Sequence, residues 1–325
     1  MSNHGNLIWY NGKIVPFQDA TTHVMSHVLH YGSGVFEGIK CYSTPNGPGI
    51  FKLDEHIARL FESAKIYKMI IPYTPEELSQ ACLELVVKNK IDSGYIRPIA
   101  FYGYDTLGVH PKECPVSVSI GIFDWGSYLG AGALENGVRV TISPWRKFQS
   151  TSFPTVAKAS GQYLNSLLAV QDAKAKGFDE ALLLNHEGTI AEGAGQNIFI
   201  INDGELYTNA EDSCILMGIT RETLIYLAKE MGITVHVGKL SLGQLFNADE
   251  AFFCGTASEV TPICEVDGRI IGNGKIGSLT QNLQNIYIDI VHGKSPNYHH
   301  WLTVVITESE EKNVSNSFQK ESVTE

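Results

Sequence analysis

Polar and apolar residues alternate along this chain in short runs whose period switches between two and roughly 3.6, as strands and helices take turns. The segments 7–10 and 13–16 flank Asn11-Gly12, a two-residue hairpin signal. Ile57, Leu60, Phe61, Ala64 and Tyr67 fall on one stripe, which predicts a helix over 53–69 with Asp54 as its N-cap. A second helix is expected after Thr74, with Pro75 in its first position. Runs at 95–102 and 116–123 read as buried strands. In the second half, strands are expected at 138–143, 180–184, 197–201 and 250–254, and helices at about 160–176 and 221–231, with Gly177 and Gly232 as C-caps. Leu164, Leu167 and Leu168 mark the apolar face of the first of these helices.

This pattern predicts an α/β (α+β) chain of two domains. The 325 residues allow each a core of its own. The glycine-rich, aperiodic run 126–137 (GSYLGAGALENG) is the expected connection. The division is a small N-terminal domain over 1–124, a loop over 125–137, a larger domain over 138–306, and a polar, disordered tail over 307–325. A net charge of -11 argues against a nucleic-acid or membrane-surface binder, either of which needs a basic face. No apolar run reaches the roughly 18 residues of a membrane span. The six cysteines (41, 82, 114, 214, 254, 264) include no CxxC pair and read as reduced, buried thiols, so the expected compartment is the cytoplasm. No metal is expected.

Several segments carry candidate chemistry. Lys158 stands just before the helix expected at 160–176, where the positive end of the helix dipole lowers an amine pKa and favours Schiff-base chemistry. On its own such a lysine is more often a solvated surface residue. Gly218-Ile219-Thr220 opens the next helix and suits either a phosphate or a plain threonine cap. Gly255-Thr256-Ala257-Ser258 follows a strand and suits either an anion or a simple turn. Arg59 lies off the apolar stripe of its helix. Glu192-Gly193-Ala194-Gly195-Gln196-Asn197 lets backbone approach a ligand, without a dinucleotide or Walker fingerprint. Tyr95 and Arg97 share one strand face, as a carboxylate reader or as an arginine paired with a neighbouring acid.

Taken in order, these segments resemble the branched-chain aminotransferases of the fold-type IV (class IV) pyridoxal-phosphate (PLP) enzymes. The likeness runs from about Ile8 to Gly293. It is densest in E-G-A-G-Q-N-I-F (192–199), L-Y-T (206–208) and I-L-M-G-I-T-R ending at Arg221, with support from HYGSGVFEGIKCY (30–42), DEHIARL (54–60), YIRP (95–98), KASGQYLNSLLA (158–169) and GTASEVTPI (255–263). The resemblance implies PLP in the larger domain, attached to Lys158, which also shuttles the reacting proton. Glu192 would face the pyridine nitrogen and Tyr163 the ring oxygen. Arg59, Ile219, Thr220 and Thr256 would hold the phosphate. Tyr31, Phe36, Gly38, Tyr95, Trp125 and Tyr128 would surround the substrate. Thr256 and Ala257 would meet its α-carboxylate, and Arg97 the side-chain carboxylate of glutamate. Leu107 and Val109 would come from a neighbouring subunit of a homodimer or trimer of dimers.

The implied reaction is ping-pong transfer of the amino group of L-leucine, L-isoleucine or L-valine to 2-oxoglutarate. The alternatives are a D-amino-acid or R-amine transaminase of the same fold, and a non-catalytic PLP-binding protein. Intact Lys158, Glu192 and Tyr163 count against the last.

Overall fold

In this computed structural model residues 5–126 and 128–305 are described, and the tail expected from residue 307 lies outside them. The first sheet is antiparallel throughout and holds β1 (Leu7–Tyr10), β2 (Lys13–Pro16), β3 (Gly34–Phe36), β4 (Ile39–Thr44), β5 (Gly47–Phe51), β6 (Gly94–Tyr102) and β7 (Val116–Phe123). The second, mixed sheet holds β8 (Val138–Ile142), β9 (Glu180–Leu184), β10 (Ile190–Gly193), β11 (Asn197–Asn202), β12 (Glu205–Asn209), β13 (Val235–Gly238), β14 (Glu250–Gly255), β15 (Glu259–Val266) and β16 (Arg269–Ile270). A last strand, β17 (Leu302–Val304), returns to pair with β5 of the first sheet. The helices are α1 (His27–Tyr31), α2 (Leu53–Ile66), α3 (Pro75–Asn89), α4 (Ala133–Asn136), α5 (Tyr163–Ala175), α6 (Ile219–Glu230), α7 (Leu242–Phe246) and α8 (Ser278–Val291).

Local chemistry accounts for most boundaries. Asn11 and Gly12 both take positive φ (48° and 85°), which a two-residue hairpin of the favoured twist requires, and they join β1 to β2. Thr74 and Glu77 form a reciprocal capping box ahead of Pro75 at the start of α3. Gly177 and Gly232, both at positive φ, follow α5 and α6 as expected.

Helix α2 departs from expectation at both ends. Lys52, in the left-handed region, is its cap, so Asp54 sits inside the first turn, where its charge complements the helix dipole. The helix stops at Ile66 because Lys68 turns left-handed, and Met69 then drops into the core. Ile57, Leu60 and Ala64 are buried against the first sheet, each Ile or Leu worth about 1.5–3 kcal/mol.

Helix α5 overturns the sequence reading of its faces. Leu164 is 66% exposed, and Leu167 and Leu168 are exposed with it, while Asn165, Ser166, Ala169 and Ala173 are buried. Small residues let α5 lie close on β9, and the leucines are left on the outer side. The 126–137 connection is irregular apart from α4. All six cysteines are free and buried. Among the described residues no helix is long and apolar enough to cross a membrane.

Candidate active site

Lys158 is fixed by its backbone before its side chain does anything. Its N–H donates to Ser63 Oγ of α2 (3.0 Å) and its carbonyl accepts from the N–H of Phe36 (3.0 Å), while Ala159 bridges to Val35 of β3. Nζ therefore reaches a cavity lined by both polar and apolar side chains, where it donates to the Tyr163 hydroxyl at 2.8 Å. A 3-10 turn over Ser160–Gln162 separates Lys158 from α5. A helix dipole fades within its first turn, so it does not set the charge of this amine. Burial opposes the charge, but Tyr163 and Glu37 outweigh it and hold Nζ above its ordinary value of 10.5. The lowered pKa expected from the sequence is thus corrected to a raised one.

Another part of the cavity lining suits an anion. Helix α6 starts from Gly218 with no side-chain cap, so its first N–H groups, at Ile219 and Thr220, are left for another acceptor. Thr220 is accordingly not the cap. A Cβ on Gly218 would lie 2.0 Å from Asn197 Oδ1, so a larger residue there would have to displace the Asn197 side chain. Arg59 and Thr256 line the same cavity. Arg59 donates through Nη1 to the Met217 carbonyl (2.9 Å), which pins the guanidinium beside the α6 terminus.

Glu192, on β10, forms the third wall. It accepts from the Leu216 N–H (3.1 Å) and Asn197 Nδ2 (3.3 Å), and pairs with Lys147 at 2.5 Å. Lys147 lies on the cavity wall and was missed from the sequence. Its only signal was the basic pair Arg146-Lys147 ahead of Lys158, which matches no motif. A buried amine, a facing phenol, a buried carboxylate and an uncapped helix N-terminus with an arginine beside it are the groups that would hold PLP.

On the substrate side, Tyr95, Gly38, Thr256 and Ala257 line the cavity. A Cβ on Gly38 would sit 1.7 Å from the Tyr95 hydroxyl, so the glycine makes room for that ring in the cavity lining. Phe36 packs against Tyr163 (4.9 Å between centroids). The Arg97 guanidinium stands 4.9 Å from the Phe36 ring, 5.3 Å from Tyr95 and 5.4 Å from Trp125. Its strand lies inside the sheet, it has no ion pair among the described residues, and its buried Nε has no hydrogen-bond partner. The alternative of an edge arginine paired with an acid is thereby removed. Tyr128 packs edge-on to Trp125, and burial followed by the Glu180 charge raises its hydroxyl pKa. Phe36, Arg97, Trp125 and Tyr128 thus cluster around Tyr95 and Tyr163, which themselves line the cavity.

Tyr31, Leu107 and Val109 are not on the cavity wall. Tyr31 donates to the Leu107 carbonyl (2.5 Å), and Val109 is 80% exposed in the same loop. His27 holds this loop through Nε2 to the Gly108 carbonyl (2.9 Å) and uses Nδ1 on Ser33. Both ring nitrogens are thus engaged, so His23 and His27, four apart in sequence, make no ligand pair. Among the described residues no group of histidine, cysteine and carboxylate side chains could hold a metal.

With that geometry in view, the chain belongs to the class IV aminotransferases: the family model for amino-transferase class IV matches residues 34–266. Within the family its similar relatives carry a narrower name. It is 46% identical to a branched-chain-amino-acid aminotransferase of Pseudomonas aeruginosa, over 94% of this chain and 99% of that one. The Escherichia coli K12 protein of the same name is 44% identical over 92% of this chain and 97% of its own. Among solved structures, the Escherichia coli branched-chain amino acid aminotransferase has a TM-score of 0.91 at 44% identity, covering 93% of this chain and 100% of that one. A branched-chain aminotransferase from the thermophilic archaeon Thermoproteus uzoniensis, solved with norvaline, has a TM-score of 0.88 at 41% identity, covering 94% and 100%.

Proposed function

We propose that this chain is a PLP-dependent branched-chain amino acid aminotransferase, passing the amino group of L-leucine, L-isoleucine or L-valine to 2-oxoglutarate in two half-reactions. The observation that carries the reading is the placing of Lys158 Nζ against Tyr163 in a cavity that also holds Glu192 and the open N-terminus of α6. Bound PLP would supply the electron sink for charge developing at the substrate α-carbon. The protein supplies everything else.

Lys158 would anchor the cofactor through Nζ and, once released, carry a proton to and from the reacting carbon. Tyr163, already its hydrogen-bond partner, holds the amine on the correct side of the cavity. Glu192 would keep the ring nitrogen protonated, its carboxylate oriented by the Leu216 N–H and Asn197. Arg59, Ile219, Thr220 and Thr256 would bind the phosphate. Thr256 and Ala257 would offer backbone N–H groups to the substrate α-carboxylate.

Dual specificity follows from the wall of Phe36, Tyr95 and Trp125 around Arg97. The rings accept a branched aliphatic side chain, and the unpaired guanidinium accepts the carboxylate of glutamate. Gly38 and Tyr128 complete this pocket. Tyr31, Leu107 and Val109, with the exposed leucines of α5, support a homodimer or trimer of dimers in which one subunit closes its neighbour's site. The two sheets support a division into domains at 1–124 and 138–306, joined by 125–137, with β17 alone among the described strands crossing from the second range into the first sheet. The buried free thiols support a cytoplasmic setting.

The test is the visible spectrum of the purified protein on adding L-leucine and then 2-oxoglutarate. The expected outcome is loss of the cofactor band with leucine and its return with the oxo acid. A band that answers only D-alanine or an R-amine would move the chain to a sister activity.

A further inference from the structure

Glu37 was not among the expected site residues, yet it is fully buried at the turn between β3 and β4. Its carboxylate meets Arg59 side-on: Oε1 accepts from Nε (2.6 Å) and Oε2 from Nη2 (2.9 Å). Oε2 also accepts from the backbone N–H of Gly38 (3.2 Å) and from His56 Nδ1 (2.7 Å). The histidine must donate there, because an ionised carboxylate only accepts.

The guanidinium is therefore held on two sides. Glu37 takes its Nε edge and the Met217 carbonyl takes Nη1, one residue before the Gly218 cap of α6. Of the five N–H donors of an arginine, three are used and two remain for the cavity. By Coulomb's law alone, a buried carboxylate next to an anion site is unfavourable. Its value must lie in orientation: a bidentate partner fixes a side chain that otherwise has many rotamers. We propose that Glu37 is a positioning residue for the phosphate site, holding Arg59 so that its remaining N–H donors and the α6 terminus converge on one anion. The proposal rests on the reading of Arg59 as a phosphate ligand.

The experiment compares the affinity of apoprotein for PLP with that for pyridoxal, which lacks the phosphate, in the native chain, E37Q, R59M and the E37M/R59M double variant. The expected result is a fall of roughly ten- to a hundredfold in the ratio of PLP to pyridoxal affinity in both E37Q and R59M, the ratio cancelling any effect of Glu37 on the Lys158 amine. Relative to pyridoxal, the double variant should bind PLP no more weakly than R59M, because Glu37 acts on the phosphate only through Arg59, and its effect on the Lys158 amine is common to both ligands. If E37Q does not fold, the comparison of R59M with the double variant decides, and a further loss in the double variant overturns the proposal. Native-like PLP affinity in E37Q beside a weakened R59M also overturns it, leaving Glu37 a purely structural group. Unchanged PLP affinity in R59M would instead remove Arg59 from the phosphate site and with it the underlying reading.

Discussion

Lys147 and Glu192 form an ion pair of 2.5 Å on the cavity wall, both side chains almost wholly buried. The pair gives the carboxylate facing the expected ring nitrogen a cationic partner of its own before any cofactor arrives. Removing one member of a buried pair leaves the other without compensation, typically at several kcal/mol. Here Glu192 keeps the Leu216 N–H and Asn197. Lys147→Met should therefore cost the apoprotein about 1–3 kcal/mol of stability in denaturant unfolding. The loss should shrink in the holoenzyme, where a protonated ring can face the same carboxylate. Equal losses in both forms would mean that the ring does not approach Glu192.

Among the described residues, Lys158 is the one amine in the cavity that donates a hydrogen bond to Tyr163. Borohydride reduction of the holoenzyme should fix the cofactor to the peptide containing Lys158, and Lys158→Ala should abolish that adduct. An undiminished adduct in the variant, mapped by mass spectrometry, would point to Lys147 as the attachment point.

Arg97 owes its position to period two in β6, which sets it on the face of Tyr95. Arg97→Ala should lower kcat/KM for glutamate by about 1.5–3 kcal/mol, roughly ten- to a hundredfold, the worth of a charge-assisted hydrogen bond. Leucine turnover should fall much less, since the aromatic wall remains. Matching losses for both substrates would take Arg97 out of glutamate recognition.

How far the site could be read from the sequence followed the reach of each signal. The hairpin at Asn11-Gly12, the Thr74 cap and the shared face of Tyr95 and Arg97 are local, and the structure has each of them. The outward face of α5 was misread because periodicity shows that Leu164, Leu167 and Leu168 share a side, not which neighbour covers it. Lys147 and Glu37 escaped for a related reason. Lys147 meets Glu192 across the fold, and Glu37 meets Arg59 through a turn and a helix, so neither pair has a spacing to recognise. The charge on Lys158 was misjudged because the dipole of α5 was assigned to a residue beyond its first turn, while Tyr163 and Glu37 set the sign.

Gly38 is required by contact rather than by backbone angle. An added Cβ would lie 1.7 Å from the Tyr95 hydroxyl and 2.4 Å from the ring carbon bearing it. Gly38→Ala should therefore push Tyr95 out of place and reduce kcat/KM for leucine by about tenfold or more. Cofactor binding should survive, because Arg59 and the α6 terminus are untouched. Tyr95→Phe should not restore the alanine variant, since the ring carbon would still collide. Recovery in that double variant would show that only the hydroxyl is in the way.

The buried trio of Glu37, His56 and Arg59 should also shape the acid limb of stability. Burial alone would raise the Glu37 pKa, but Arg59 and His56 outweigh it and hold it well below its ordinary 4.5. For His56, burial lowers the pKa from 6.5 despite the facing carboxylate. Both folded values are depressed, so both groups bind protons more readily when unfolded, and each contributes stability that is complete above its unfolded pKa and lost as pH falls toward its folded one. The loss should begin near the ordinary histidine value of 6.5 and steepen below the ordinary carboxylate value of 4.5. A triple variant with Glu37, His56 and Arg59 all replaced by methionine lacks both titrations. Its unfolding free energy, followed in urea from neutral to acid pH, should fall less steeply than that of the native chain. Parallel slopes would mean that carboxylates elsewhere govern acid unfolding and that the trio gains nothing from its charge.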